Sequence, residues 1–451
     1  MMEIATTLLA APKWIIDLVG KDNVFWADYV VVPVIKIVIV LFVVLTVVAY
    51  LVYVERKVSA FIQARLGPMR VGPWGLLQPL ADGLKLILKE DIVPLKADKA
   101  VFLLAPIISV AAALVVLAVV PWGAAWATIS SVNIGLLFIL AVSSVGVLGL
   151  VLAGWSSNSK YSLLGALRSS AQMVSYEVAL GLSIIGALMF ARTLSMTGIV
   201  EAQQADGMWY VLFQPTGFLV YLISALGETN RAPFDLPEAE SELVAGYHTE
   251  YSGFRWALFM MAEYAAIIIT SSVAVTLFLG GWTGLGWLSN LISGWSWTHS
   301  IISPENLQVI LSIFAFVAKL FAVIYVYMWI RWTWPRYRYD QLMELGWKWM
   351  IPAGLANIVL TGIWYVLALP KTSGGLFGLM QNQGGRLVAS GWGKIYFIAT
   401  GFAGTVPIIW GILALINRRS RDFNLHEQRQ LQVRLRRERL QKGAEPQPAG
   451  D

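Results

Sequence analysis

Apolar residues in this chain fall in long unbroken runs. Nine stretches, about 32–54, 100–121, 134–154, 177–197, 208–227, 254–280, 308–330, 349–369 and 394–416, stand out. Each approaches the roughly 20 apolar residues that a helix needs to cross a hydrocarbon layer of about 30 Å. They are too long for strands and show no two-residue alternation, so the pattern predicts helices. The expected fold is all-α: a polytopic transmembrane helix bundle with about nine spans. One segment between runs differs. Gly67-Pro68 and Gly72-Pro73 signal turns. After them Leu76, Leu77, Leu80, Leu84, Ile87 and Leu88 recur at helical spacing, with Gln78, Asp82, Lys85 and Lys89 between them. This predicts an amphipathic helix, either lying along the membrane surface or packed on a partner protein.

Charge placement orients the bundle. The segments 55–99, 155–176, 227–256, 331–348 and the tail from 417 hold 25 of the 33 basic residues, while 121–133 and 281–307 hold none. The basic set is expected on the cytoplasmic side, with the N-terminus outside and the C-terminus inside. Trp122, Trp126, Trp155, Trp282, Trp347 and Trp349 lie near span ends, as interfacial tryptophans do. Residues 1–31 carry Lys13, Asp17, Lys21 and Asp22 between short apolar pieces, a poor signal peptide, so the first span is expected to direct insertion. The end of the chain is basic through Arg418, Arg419, Arg421, Arg434, Arg436, Arg437 and Arg439, which reads as positive-inside anchoring plus a solvated tail.

Composition narrows the chemistry. Only 13% of residues are charged, against about a quarter in soluble domains. There are no cysteines and only three histidines, His248, His299 and His426. Disulfides, thiolate nucleophiles and cysteine-held iron–sulfur clusters are thereby excluded, and a multi-histidine metal or haem site is not expected. No dinucleotide fingerprint, P-loop or zinc-protease motif appears, and nucleic acid is not an expected partner. If the chain serves redox chemistry, electrons must arrive from another chain.

Ionisable residues within spans cost roughly 2.5–3.5 kcal/mol each on insertion scales and are functional candidates. Glu263 lies about two turns into the sixth span and Lys319 near the middle of the seventh. Glu177 opens the fourth and Glu55 closes the first. Lys36, nearer the outer face, is able to snorkel and is assigned no role. The densest feature is the segment after the fifth span. Glu228, Asp235, Glu238, Glu240, Glu242 and Glu250 fall within 23 residues, answered by Arg231 and His248. A helix would place Asp235, Glu238 and Glu242 on one face. Asp235 and Glu238 beside Pro237 also fit a helix N-terminus, yet capping accounts for two acids and not six. Crowded, partly desolvated carboxylates raise one another's pKa and so handle protons near neutrality; the alternative is a plain solvated face.

Several long polar runs carry a family resemblance. They are Glu55-Arg-Lys, Gln63-Ala-Arg65-Leu-Gly-Pro, Gln78-Pro-Leu-Ala-Asp-Gly-Leu-Lys85, Ser157 to Arg168, Gln172-Met-Val-Ser-Tyr-Glu177, Glu228-Thr-Asn-Arg231-Ala-Pro-Phe-Asp235, Glu250-Tyr-Ser-Gly, Ala262-Glu263-Tyr and Ile330-Arg331-Trp-Thr-Trp-Pro-Arg-Tyr-Arg338. In this order, over roughly 30–370, they resemble the H subunit of the bacterial respiratory NADH:quinone oxidoreductase, complex I. The resemblance implies an eight-helix membrane subunit of a proton-translocating oxidoreductase, not catalytic alone, set in the bacterial inner membrane where it meets the peripheral arm. It implies a quinone substrate entering from the bilayer, with FMN and iron–sulfur clusters on partner subunits. Those partners are the peripheral-arm quinone-site subunits and the antiporter-like membrane subunits. The implied proton-coupling residues are Glu177, Glu228, Asp235, Glu238, Glu240, Glu242, Glu250, Glu263 and Lys319; the implied quinone-path residues are Arg65, Arg231, Glu55 and Gln63.

The family pattern ends after an eighth span. The chain therefore divides into an outer-face segment 1–31, a family core 32–370, an extra loop and ninth span 371–416, and a basic cytoplasmic tail 417–451. Two rival readings stay open. The equivalent subunit of a membrane-bound hydrogenase or a ferredoxin-linked quinone reductase would share these motifs. A stand-alone secondary ion transporter also buries acids, but it predicts inverted repeats with broken helices, and none is evident.

Overall fold

The computed structural model describes residues 30–124, 127–235, 244–284, 304–370, 375–383, 386–407 and 409–410. Its helices are α1 (Val32–Ile62), α2 (Gln78–Leu88), α3 (Lys99–Val116), α4 (Gly135–Ser156), α5 (Lys160–Ala191), α6 (Met196–Asp206), α7 (Tyr210–Phe213), α8 (Pro215–Glu228), α9 (Gly253–Phe278), α10 (Pro304–Thr333), α11 (Tyr339–Leu345) and α12 (Ile351–Ala368). A π-turn, Gly346–Met350, joins α11 to α12 into one continuous rod. A short antiparallel hairpin, β1 (Met380–Gln383) and β2 (Arg386–Ala389), follows, and residues 391–407 are again helical.

Among the described residues, seven helices are long and apolar enough to cross a membrane. Two of the nine expected spans differ from that count. The 208–227 stretch is broken: α6 ends at Gly207, and Gln214 leaves helical geometry (φ −130°, ψ 53°) before Pro215 restarts the chain as α8. The break has a local cause, since proline excludes its predecessor from helical backbone and supplies no N–H donor. The ninth stretch, 394–416, is helical as far as it is described, and residues 411–416 lie outside the described set. The fourth expected span also starts earlier than its apolar run. Helix α5 begins at Lys160, so most of the segment 155–176 that hydropathy assigns to a loop is helix.

That extra half-helix positions the site. Its inward face is small or polar: Ser162, Gly165, Ala166, Ser169 and Gln172 are all buried. Lipid is as apolar as leucine, so packing here relies on close backbone approach and interhelical hydrogen bonds, worth about 0.6–2 kcal/mol each. Gln172 Nε2 donates to the carbonyls of Gly227 (2.8 Å) and Phe234 (2.8 Å) and to Asn230 Oδ1 (3.2 Å). Asn230 Nδ2 donates in turn to Ser169 Oγ at 3.1 Å. Residues 227–235 are thereby fastened to α5. Elsewhere Tyr221 donates to Thr270 O (2.8 Å), Gln203 to Thr276 O (2.8 Å) and Gln214 to Thr361 Oγ1 (2.8 Å).

Helix α2 contains no buried residue; Leu80, Leu84, Ile87 and Leu88 are exposed. It is tied to α1 by Arg56–Asp82 at 2.7 Å. Its apolar side is left uncovered by the described residues.

Gly165 allows the segment 244–251 to lie directly on α5, because a Cβ there would stand 2.7 Å from Gly246 Cα and Tyr247 N. Gly165→Val is expected to lower the thermal midpoint of the detergent-solubilised protein, by an overpacking cost of about 1–3 kcal/mol. Gly181→Ala, on the same helix but facing open space, serves as the neutral control in the same melting experiment.

Candidate functional site

Three helix segments and one turn bring four charges together. Glu55 comes from the last third of α1, Arg231 from the turn after α8, Glu263 from α9 and Arg331 from the last turn of α10. Arg231 reaches Glu263 at 3.2 Å and Glu55 at 3.8 Å, and Arg331 forms a second ion pair with Glu55. The Arg231 side chain is 6% exposed, and those of Glu55 and Glu263 are 8% and 10%. At such burial, uncompensated charge costs several kcal/mol per ion, so the pairing of two carboxylates with two guanidinium groups is what holds the quartet in place. Both carboxylates gain a phenol donor: Tyr264 OH donates to Glu55 Oε2 and Tyr247 OH to Glu263 Oε1, each at 2.7 Å. The Arg231 guanidinium also lies over the Tyr264 ring, 4.3 Å from its centre.

A cleft opens onto three members of this quartet. Glu55, Arg231, Arg331 and Tyr264 form its polar end; Leu51, Leu226, Ile267, Ile324 and Met328 form its apolar walls. Apolar walls with a few convergent polar groups are the usual lining of small-molecule sites.

A second acidic set adjoins the first. Asp235 is buried and pairs with Arg336 at 3.2 Å, while its Oδ1 has no hydrogen-bond partner among the described residues. Burial pushes the Asp235 carboxyl up to about 6. Arg336, Arg331 and Arg231 oppose that shift and the Glu263 carboxylate adds to it. Burial also pushes His248 down from its ordinary value, against the opposing pull of Glu263. Glu228, at the end of α8, lies within electrostatic reach of Glu177, and Glu177 accepts a hydrogen bond from Ser144.

The residues expected from the sequence therefore separate into groups. Glu55, Arg231 and Glu263 meet directly, with Asp235 in electrostatic contact, and Glu177 with Glu228 forms a neighbouring pair. Glu250 sits half-buried in the turn before Tyr251. Glu238, Glu240 and Glu242 lie outside the described residues. Arg65 and Gln63 join each other (2.6 Å) but are exposed beyond the C-terminal end of α1, and they do not reach the buried quartet. Lys319 is held elsewhere, at the far end of α9, by the carbonyls of Leu279, Gly281 and Thr283. Arg331, Tyr247, Tyr264, Arg336 and Gln172 belong to the site although no sequence signal assigns them to it. Arg331 and Arg336 are hidden among the positive-inside residues, and the only hint of a phenol donor is Tyr264 standing next to Glu263.

Fold and site together define a multi-pass membrane protein with a desolvated, charge-balanced cluster next to an apolar cleft. The NADH dehydrogenase family profile matches residues 35–362. Similar proteins include the NADH-quinone oxidoreductase H 1 subunit of Geobacter sulfurreducens, 50% identical over 366 residues and spanning 77% of this chain and 97% of the relative. The H 2 subunit of Koribacter versatilis is 49% identical, spanning 76% and 99%. The H subunit of Rhodospirillum rubrum is 47% identical, spanning 75% and 96%. This chain belongs to that family. All four members of the quartet lie within the matched range.

Removing the shared arginine takes from the buried Glu263 carboxylate its ion-pair partner and leaves Glu55 with Arg331 alone. Arg231→Met is expected to destabilise by about 3–5 kcal/mol. Arg231→Lys should be intermediate, because a single ammonium cannot reproduce the planar fork. Thermal melts and the amount of assembled protein in native gels measure both.

Proposed function

We propose that this chain is the membrane subunit of a proton-pumping NADH:quinone oxidoreductase that forms much of the quinone chamber and passes the energy of quinone reduction to proton translocation. The observation that carries the reading is the buried quartet Glu55–Arg231–Glu263–Arg331 at the head of an apolar cleft. In this reading the quinone enters from the bilayer with its headgroup toward the peripheral-arm partners, whose FMN and iron–sulfur clusters supply the electrons. The N-terminus faces outward and the C-terminus the cytoplasm of the bacterial inner membrane. Helix α2 lies at the inner surface with its uncovered leucines toward lipid.

Reducing a quinone to a quinol takes two electrons and two protons. Each electron adds negative charge before its proton arrives. An acid already held near neutrality responds by binding a proton, since added negative charge disfavours its ionised form. Asp235 meets that condition, and its electrostatic contact with Glu263 links it to the quartet. The proposed route then runs through Glu228 and Glu177 toward the antiporter-like partner subunits, with Glu238, Glu240, Glu242 and Glu250 as further carriers on the cytoplasmic side.

In inverted membrane vesicles, Glu228→Gln and Asp235→Asn are each expected to lower NADH:quinone reductase rate and acidification of the lumen together, about tenfold or more if a coupling step is removed. Full coupled activity in either variant would exclude that acid from the route. A second expectation concerns pH. The Arg336 cation favours the ionised form of Asp235; removing it raises that carboxyl further. If Asp235 must be ionised to accept a proton, the acid limb of the reductase pH profile in Arg336→Gln should move to higher pH. A profile that stays in place would show that Asp235 does not set that limb.

A further inference from the structure

Lys319 is half-buried about four turns into α10, and among the described residues its ammonium is hydrogen-bonded to backbone carbonyls and not to a carboxylate. The three acceptors are Leu279 O at 2.7 Å, Gly281 O at 3.0 Å and Thr283 O at 2.6 Å. An ammonium has three N–H donors, so this set matches it in number. Against it lies the Trp209 ring, 4.6 Å from ammonium to ring centre.

The collar is a built feature. It forms just past the end of α9, from the carbonyls of Leu279, Gly281 and Thr283, at the negative end of the helix dipole. The backbone then turns through Gly280 (φ +74°) and Gly281 (φ +52°), which brings the later carbonyls back toward the same point. Side chains are shut out there. A Cβ on Gly280 would stand 2.6 Å from Trp209 and one on Gly281 2.5 Å from Val200. Three neutral oxygens at 2.6–3.0 Å around one point, over an aromatic face, make a coordination shell for a monovalent cation of ammonium or potassium size.

We infer that the carbonyl collar at the end of α9 is a monovalent-cation site whose occupant is the chain's own Lys319 ammonium, and that Lys319 is a fixed positioning cation and not a proton carrier. A backbone carbonyl does not accept a proton at any pH the protein experiences, so a lysine whose donors all end on carbonyls has no next station to pass one to. What the ammonium does supply is a joint: it locks the end of α9, the middle of α10 and the Trp209 turn before α7 to one point.

The test is Lys319→Met in the assembled complex, which keeps the chain volume and deletes the cation. Melting and quinone reductase activity are measured with methylammonium, ammonium, potassium or choline chloride. The expected result is a lower thermal midpoint and activity reduced by roughly tenfold, both largely restored by methylammonium or ammonium and not by the oversized choline, with the pH profile unmoved. Should the variant fail to assemble, the read-out is assembled complex in membranes of cells grown with and without methylammonium; recovery supports the inference, and no recovery overturns it. An unaltered midpoint, a deficit that no small cation repairs, or intact quinone reduction with proton translocation alone abolished would also overturn it. The thermal midpoint reads the collar whichever substrate the complex reduces, so failure here is separable from failure of the quinone reading.

Discussion

The candidate site is organised by the sharing of Arg231 between two carboxylates on different helices. Glu55 on α1 and Glu263 on α9 would repel each other in a desolvated space; with the guanidinium between them they attract. Arg331 balances the remaining charge from α10. Because the carboxylates and Arg231 are desolvated and answered by charges on other elements, the four groups tie three helices and one turn together. The turn that carries Arg231 is in its own right pinned to α5 by Gln172 and Asn230. The extended helix α5 is therefore what places the arginine, and the arginine is what closes the site.

Such a cluster is sensitive to charge arriving nearby. A unit charge about 6 Å away, in a medium of effective dielectric about 20, is worth roughly 3 kcal/mol, or about two pH units of proton affinity. Asp235, lifted toward neutrality by burial, needs no larger perturbation to change its occupancy. The ion-paired acids Glu55 and Glu263 are held by arginines and phenols, whereas Asp235 keeps one carboxyl oxygen buried without a hydrogen bond among the described residues. The arrangement thus sets a rigid, charge-neutral frame beside one carboxylate poised to respond.

Much of this is legible in the sequence, and the exceptions have physical causes. Seven long helices follow directly from apolar runs, because lipid demands internally satisfied backbone. Hydropathy under-reads helix α5 since its first half is small and polar, a face packed against residues 227–235 and 246–247 instead of lipid. It over-reads the broken fifth stretch because it ignores Gly207 and Pro215. At the site, Glu55 and Glu263 announce themselves as acids in apolar surroundings. Arg331 does not, since a basic residue at an inner span end satisfies the positive-inside rule with no further explanation. Lys319 is visibly out of place in an apolar run, but only the carbonyl geometry distinguishes a bound cation from a proton relay.

In the proposed function, acids beside the cleft change protonation when the acceptor bound there is reduced. Redox-induced infrared difference spectroscopy of the purified complex reads this directly through the carboxylic C=O stretch. A carboxylic band is predicted to appear or shift on reduction of bound quinone and to be lost in Asp235→Asn. A difference spectrum in which that region is silent, or is identical in the variant, would contradict the proposal.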